Sequence, residues 1–311
     1  MKNPQLYPRN EKGLLDISKL PPHGSIISQK QLKSIIREAI VKAGKKSSRA
    51  ILEIPDGTSE SEKIKIYKQK GKGLFQYFRK YYGDPATTAY DCLGKHYTVI
   101  AKEQFRNQTL QKERMNSGWR YQYIAKDCAV SSKRFITVSD IGAAEADFNA
   151  TTKIVDENKT LNIYVSIKNR TNTLGGQDWP KAIFALEDVA NTDKNRSGPY
   201  ICIFGIAMER GQRNVKGNSK TKSAYSVNTE VWRSDFFWPF FSNYSYLEIA
   251  KTVLSVLIDE GKKMDLVETV YVPDELIEAF GEECRDFDLL NKAGKFNSAL
   301  KLVDFFCSTK K

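Results

Sequence analysis

Residues 161–168 read Leu-Asn-Ile-Tyr-Val-Ser-Ile-Lys, and residues 145–151 read Glu-Ala-Asp-Phe-Asn-Ala-Thr. In the first stretch Leu161, Ile163, Val165 and Ile167 alternate with Asn162, Tyr164, Ser166 and Lys168, the period of a strand with one apolar face. In the second, Glu145, Asp147, Asn149 and Thr151 share one face and Ala146, Phe148 and Ala150 the other. A polar turn, Asp156-Glu157-Asn158-Lys159, separates them. The pattern predicts strands over Ala144–Val155 and Leu161–Arg170. A hairpin symmetric about Glu157 and Asn158 sets Asp147 opposite Lys168 and Asn149 opposite Ser166, at ~5 Å. Glu145, Asp147, Ser166 and Lys168 then form one polar patch. A two-residue shift of register changes the partners and keeps the face.

Working outward, Arg134 to Val138 reads as a short strand. Gln177 to Asn191 reads as a helix, with Asp178 near its cap and Pro180 in its first turn. Pro199 to Met208 is an apolar strand of the buried type. A basic loop over 209–223, a strand from Tyr225 to Trp232 and a helix from Tyr246 to Glu260 follow. Pro273 to Phe280 and Ser298 to Phe306 are helical. On the N-terminal side, Ser28 caps a helix with Leu32, Ile35, Ile36 and Ile40 at helical spacing and Gly44 at its end. Residues 59–82 read as helix broken around Gly71 and Gly73, with an aromatic stripe (Phe75, Phe78, Tyr81, Tyr82) of core type. Residues 87–128 read as helix interrupted near Asn116-Ser117-Gly118. The expected fold is α/β: a mixed central sheet flanked by helices over residues 134–311, and a helical, basic portion over 1–133.

The chain of 311 residues carries a net charge of +12, unevenly spread. Residues 1–135 hold 27 Lys and Arg against 12 Asp and Glu, and the remainder 22 against 25. Such asymmetry points to a polyanion, with nucleic acid the leading partner; the plainer reading is lysine on solvated faces. No apolar stretch reaches the roughly 20 residues of a membrane span. The N-terminus lacks the apolar segment of a secretory signal. The five Cys have no CxxC pair. A cytoplasmic protein is expected. Only His23 and His96 exist, which disfavours His-rich zinc sites and most His-based acid–base schemes.

Two acids and a Lys on a strand pair suit metal-assisted phosphodiester hydrolysis. Carboxylates can hold Mg²⁺, which keeps waters for attack, and a nearby Lys can orient or deprotonate water and offset phosphate charge. The plainer reading is a solvated cross-strand ion pair. At these residues the chain resembles the PD-(D/E)xK nuclease superfamily, especially type II restriction endonucleases: an Asp on one strand, then a strand ending in Asp/Glu-x-Lys, then a helix. Asp147, Ser166-Ile167-Lys168 and the helix from Gln177 follow that order, and the resemblance covers roughly residues 134–232. It departs where Ala146 precedes Asp147 in place of Pro, and where Ser166 takes the place of the second acid. Some restriction enzymes use Ser-x-Lys with the acid on the following helix, where Asp178 or Glu187 is available. Glu145, two residues before Asp147, is favoured because strand periodicity alone places it.

The resemblance implies a restriction-endonuclease-like core acting as a Mg²⁺-dependent, sequence-specific endonuclease on double-stranded DNA. It implies Asp147 and a second acid as metal ligands, the latter assigned to Glu145 on strand periodicity, Lys168 and Ser166 in the catalytic motif, and a homodimer matched to a palindrome. Arg210, Arg213, Lys216 and Lys220 of the basic loop, with Asn169 and Arg170 beyond the strand, are the candidate DNA contacts. The aromatic-dense stretch 232–246 reads as core or interface. The rivals are another nuclease of the superfamily, in repair, recombination or transposition, and a non-catalytic DNA-binding protein.

Overall fold

The computed structural model describes residues 7–46, 54–55, 57–80, 84–155, 157–171, 179–218, 221, 223–263 and 272–307. The chain divides into two compact units, residues 1–46 with 116–265 and residues 47–115 with 266–311. The expected boundary at 133/134 therefore falls inside one unit, and the C-terminal helices group with residues 47–115. Contacts distant in sequence make this division, and local pattern does not carry them. The charge redistributes accordingly: the first unit holds 30 Lys and Arg against 20 Asp and Glu, the second 19 against 17.

The first unit is a six-stranded mixed sheet flanked by helices. It comprises α1 (Gln29–Lys46), the later part of a long helix, β1 (Thr137–Ser139), β2 (Phe148–Lys153), β3 (Thr160–Lys168), α5 (Trp179–Thr192), β4 (Tyr200–Ile206), β5 (Arg213–Asn214), β6 (Thr229–Arg233), α6 (Ser234–Phe241) and α7 (Tyr246–Lys263). The long helix is α4 (Tyr97–Ser131), continuous through the expected interruption. The strand order is β1-β2-β3-β4-β6-β5. β1, β2 and β3 form an antiparallel meander, β3, β4 and β6 run parallel, and β5 closes the edge antiparallel. The parallel β3–β4 step needs a crossover, which α5 supplies.

A parallel strand under a crossover helix is covered on both sides. Tyr164 and Ser166 of β3 are thus as buried as its odd-numbered residues, and the expected solvated polar face does not exist there. Phe148, Ile163, Val165 and Ile167 pack with Trp238 and with Ile124 of α4. On the other face Tyr164 packs with Trp179, Leu186, Phe204 and Ile206. Burial is tolerated because the polar atoms are satisfied: Tyr164 Oη donates to Asp193 Oδ2 at 2.7 Å and Asn162 Nδ2 to the Ser197 carbonyl at 2.7 Å. Each large apolar side chain so enclosed contributes about 1.5–3 kcal/mol. The aromatic run of α6 is core: Phe237, Trp238 and Phe241 have no exposed surface, and Trp238 Nε1 donates to the Ala207 carbonyl at 2.8 Å.

The second unit is helical, with α2 (Glu60–Lys80), α3 (Pro85–Cys92), α8 (Asp274–Asp286) and α9 (Ala299–Cys307) alongside the start of α4. α2 is unbroken at Gly71 and Gly73. A Cβ on Gly71 would lie 2.3 Å from the Leu276 carbonyl oxygen, so this glycine lets α8 approach and does not end the helix. Phe75 and Phe78 belong to a core with Phe280, Phe296 and Phe305; Tyr81 and Tyr82 lie outside the described residues.

Candidate functional site

Asp147 stands just before β2. The ladder pairs Phe148 with Val165 and Asn149 with Tyr164, two residues from the expected register, so Asn149 does not face Ser166 and Asp147 does not face Lys168. Asp147 also donates its amide to the Val165 carbonyl at 2.8 Å. Asp147 and Phe148 together oppose one residue of β3, which is a β-bulge. The bulge replaces a backbone acceptor with a side chain: Asp147 Oδ2 accepts the Ile167 amide at 2.5 Å. The sheet thus fixes the carboxylate beside the middle residue of Ser166-Ile167-Lys168.

The bulge also resets the side-chain alternation. Ala146 falls into the cluster around Trp179 and Phe204, whereas Phe148 falls into the one with Ile124. Asp147 lines a cleft of about 430 Å³ with Trp119, Gln122, Tyr123 and Lys126 of α4. Lys168 pairs with Ile206, which is buried on the α5 side, so Lys168 emerges on that side. The two residues flank the same strand end and do not share one face. Glu145 lies in an exposed turn, so strand periodicity does not place it beside Asp147. Ser166 is 2% exposed, in the same row as Phe204, and presents no hydroxyl to solvent.

The helix acids separate as well. Glu187 accepts from Thr229 Oγ1 at 2.6 Å. Thr229 opens β6 and Arg233 ends it in the row of Lys168. Four residues at ~3.3 Å each thus set Glu187 roughly 13 Å from that row. Asp178 lies outside the described residues. Among the described residues no group of three or more His, Cys, Asp or Glu side chains gathers as a metal cage.

The candidate DNA contacts divide. Arg213 is in the sheet, not in a loop. Its Nη1 donates to the Leu15 carbonyl at 2.5 Å and lies 3.5 Å from Glu230 Oε2, and its guanidinium stacks over Phe236 at 4.5 Å. Glu230 has no exposed surface and also accepts from the Leu15 amide at 2.5 Å and Trp232 Nε1 at 2.7 Å. Burial pushes its pKa up, against the pull of those donors and Arg213. Arg213 is a structural cation. Lys216 lies 5.0 Å over the Trp179 ring, an engaged but accessible position. Arg210 is 89% exposed and only loosely paired with Asp235, at 3.6 Å. Arg170 is exposed, and Asn169 is half-buried with its side-chain oxygen enclosed. Lys220 lies outside the described residues.

Two residues at this end of the sheet escaped the sequence reading. Glu209 accepts the Thr171 amide at 2.6 Å and the Thr171 hydroxyl. Burial would raise its pKa, but those bonds and the charges of Arg233 and Arg170 hold it below the ordinary range. With Ala207 and Met208 donating to the carbonyls of Lys168 and Asn169 at 2.9 and 3.1 Å, Glu209 ties residues 168–171 to the end of β4. Arg233 ends β6. Its only sequence signal was a cation closing a strand, as Lys168 does. A cleft of about 1060 Å³ lies elsewhere, over Asn149, Thr151 and Asn162. Among the described residues no Lys or Arg lines it, which suits a phosphate backbone poorly.

No family model matches the chain, and no curated protein is similar enough to it to serve as a relative.

Proposed function

We propose that the first unit is a Mg²⁺-dependent, sequence-specific DNA endonuclease of the restriction type, acting as a homodimer. The observation that carries this reading is the Asp147 carboxylate on the Ile167 amide, beside the strand end Ser166-Ile167-Lys168. The order around it supports it too: an Asp at the start of β2, a β3 ending in Lys, the helix α5, then β4 parallel to β3.

The acids fit a hard cation that binds one or two carboxylates and completes its shell with water and substrate phosphate. Asp147 would hold it, with Glu145 reaching in from the neighbouring turn. Bound there, Mg²⁺ supplies Lewis acidity at the phosphate and a water of lowered pKa. Lys168, at the same strand end, orients the attacking water or offsets charge on the scissile phosphate. A DNA backbone crossing the strand ends meets Asp147 on one side and Lys168 on the other. Arg170, Arg210 and Lys216 supply attraction around that end; Arg213 is withdrawn from that role.

Incubation with a sequenced plasmid tests the reading: discrete fragments form with Mg²⁺ and none form with EDTA. Nibbling or structure-dependent cutting assigns the site to another kind of nuclease. A second reading, a non-catalytic DNA-binding protein, is favoured by the enclosed Ser166 and the lack of a three-ligand cage among the described residues. Binding without any Mg²⁺-dependent cutting selects it.

A further inference from the structure

We propose that Lys168 and Arg233 form a two-cation clamp for one phosphodiester of a nucleic-acid backbone. The parallel register sets Lys168 opposite Ile206 and Ile206 opposite Arg233. These residues occupy one row at the C-terminal ends of three strands. Residues in one row point to one face, and Ile206 is buried on the α5 side. Lys168 and Arg233 therefore emerge on the same side, their Cα atoms roughly 10 Å apart, twice the ~4.8 Å strand spacing. Long side chains from those two points can converge on one phosphate.

Three further features suit an anion. Neither the Lys168 ammonium nor the Arg233 guanidinium makes a hydrogen bond or ion pair within 4 Å among the described residues, in contrast to Arg213. The stem of Arg233 is held: Gly211, at φ +133, packs so closely that an added Cβ would lie 2.7 Å from Arg233 Cδ. A guanidinium on a fixed stem loses less freedom on binding a phosphate. The local charge is also positive. Lys168, Arg170, Arg210 and Arg233 outnumber the nearby acids Asp147, Glu209 and Asp235, whose oxygens accept from the Ile167 amide, Thr171 and the Gly211 amide. The ends of parallel strands are where open α/β sheets bind ligands.

The clamp rests on the nuclease reading only for the role of Lys168 in cutting; as a phosphate site it stands without it. The test is fluorescence anisotropy of a labelled 30-base-pair duplex in EDTA, from about 50 to 200 mM salt, with wild type, Lys168→Met, Arg233→Met and Arg233→Lys. Each phosphate contact contributes about 0.9 to the slope of log K against log salt. Arg233→Met and Lys168→Met should each flatten the slope by about that much. Across the fourfold salt range each should then lose about threefold less affinity than wild type does. Arg233→Lys should keep the wild-type slope, which separates lost charge from a damaged fold. An unchanged slope and affinity in Arg233→Met, or no binding by wild type, overturns the clamp. Wild type that binds with the expected slopes but does not cut with Mg²⁺ leaves the clamp standing and removes the nuclease. Wild type that cuts while Arg233→Met keeps its slope does the opposite.

Discussion

Arg213 and Arg233 lie on neighbouring strands at one edge of the sheet, and their surroundings differ in every respect that matters. Arg213 is 12% exposed and joined to a wholly buried Glu230. Arg233 has its stem pinned by Gly211 and no ion-pair partner among the described residues. The difference follows from strand parity. Arg213 pairs with Trp232, which points into the core beneath Phe240 and Phe241, and Arg233 follows one residue later on the opposite face. A basic composition counts both alike. Only the partner distinguishes a cation that stabilises the fold from one available to a ligand.

The largest effect that sharpens this contrast is on stability. Removing one member of a buried charged pair leaves the other uncompensated and costs about 3–5 kcal/mol. Glu230→Ala should therefore destabilise the first unit by that amount, stranding Arg213 and the Leu15 amide. Arg233→Met should change stability by less than about 1 kcal/mol. Urea unfolding followed by tryptophan fluorescence reads this unit alone, since Trp119, Trp179, Trp232 and Trp238 all belong to it. Equal losses in the two variants would erase the distinction.

Next in size is the cleavage step. Lys168→Met should slow single-turnover cutting at saturating protein by roughly 10²-fold, while its binding loss stays that of one phosphate contact. Weaker binding with unchanged turnover of bound DNA would reduce Lys168 to an anchor.

The strand ending at Lys168 was legible because its alternation is uninterrupted and its length ordinary. The start of β2 was not. A bulge breaks period two at Asp147, so a pattern that assumes continuity extends the strand back to Ala144 and sets Glu145 on it, whereas Glu145 lies in an exposed turn. The solvated face expected for β3 failed for a different reason. Tyr164 and Asn162 read as polar, yet each is buried and finds a hydrogen-bond partner, Asp193 and the Ser197 carbonyl, from segments some thirty residues away. Arg213 was misassigned to a loop because its strand is two residues long, too short for any periodicity.

The buried pair also predicts a pH response. Burial raises the Glu230 pKa although the Leu15 amide, Trp232 and Arg213 oppose the shift. The folded state therefore binds this proton more readily than the unfolded chain. The stability that proton uptake contributes is fully present below the ordinary glutamate value, and it is lost as pH rises through the folded value. Glu230→Gln lacks this titration, so the stability of wild type relative to Glu230→Gln should fall across that window and then level off. A difference that grows with pH there would contradict the raised pKa. The smallest effect concerns the pinned stem: Gly211→Ala keeps every charge but pushes on Arg233 Cδ, and should weaken duplex binding a few-fold. Wild-type affinity would mean that the stem need not be held.

Asp147→Asn tests the central claim most directly, because an asparagine oxygen can still accept the Ile167 amide and preserve the bulge. With Mg²⁺ and DNA at saturating protein, the account predicts that wild type cuts, that Asp147→Asn binds the same DNA with undiminished affinity, and that its cutting falls below detection. Cutting by Asp147→Asn at near the wild-type rate would contradict it.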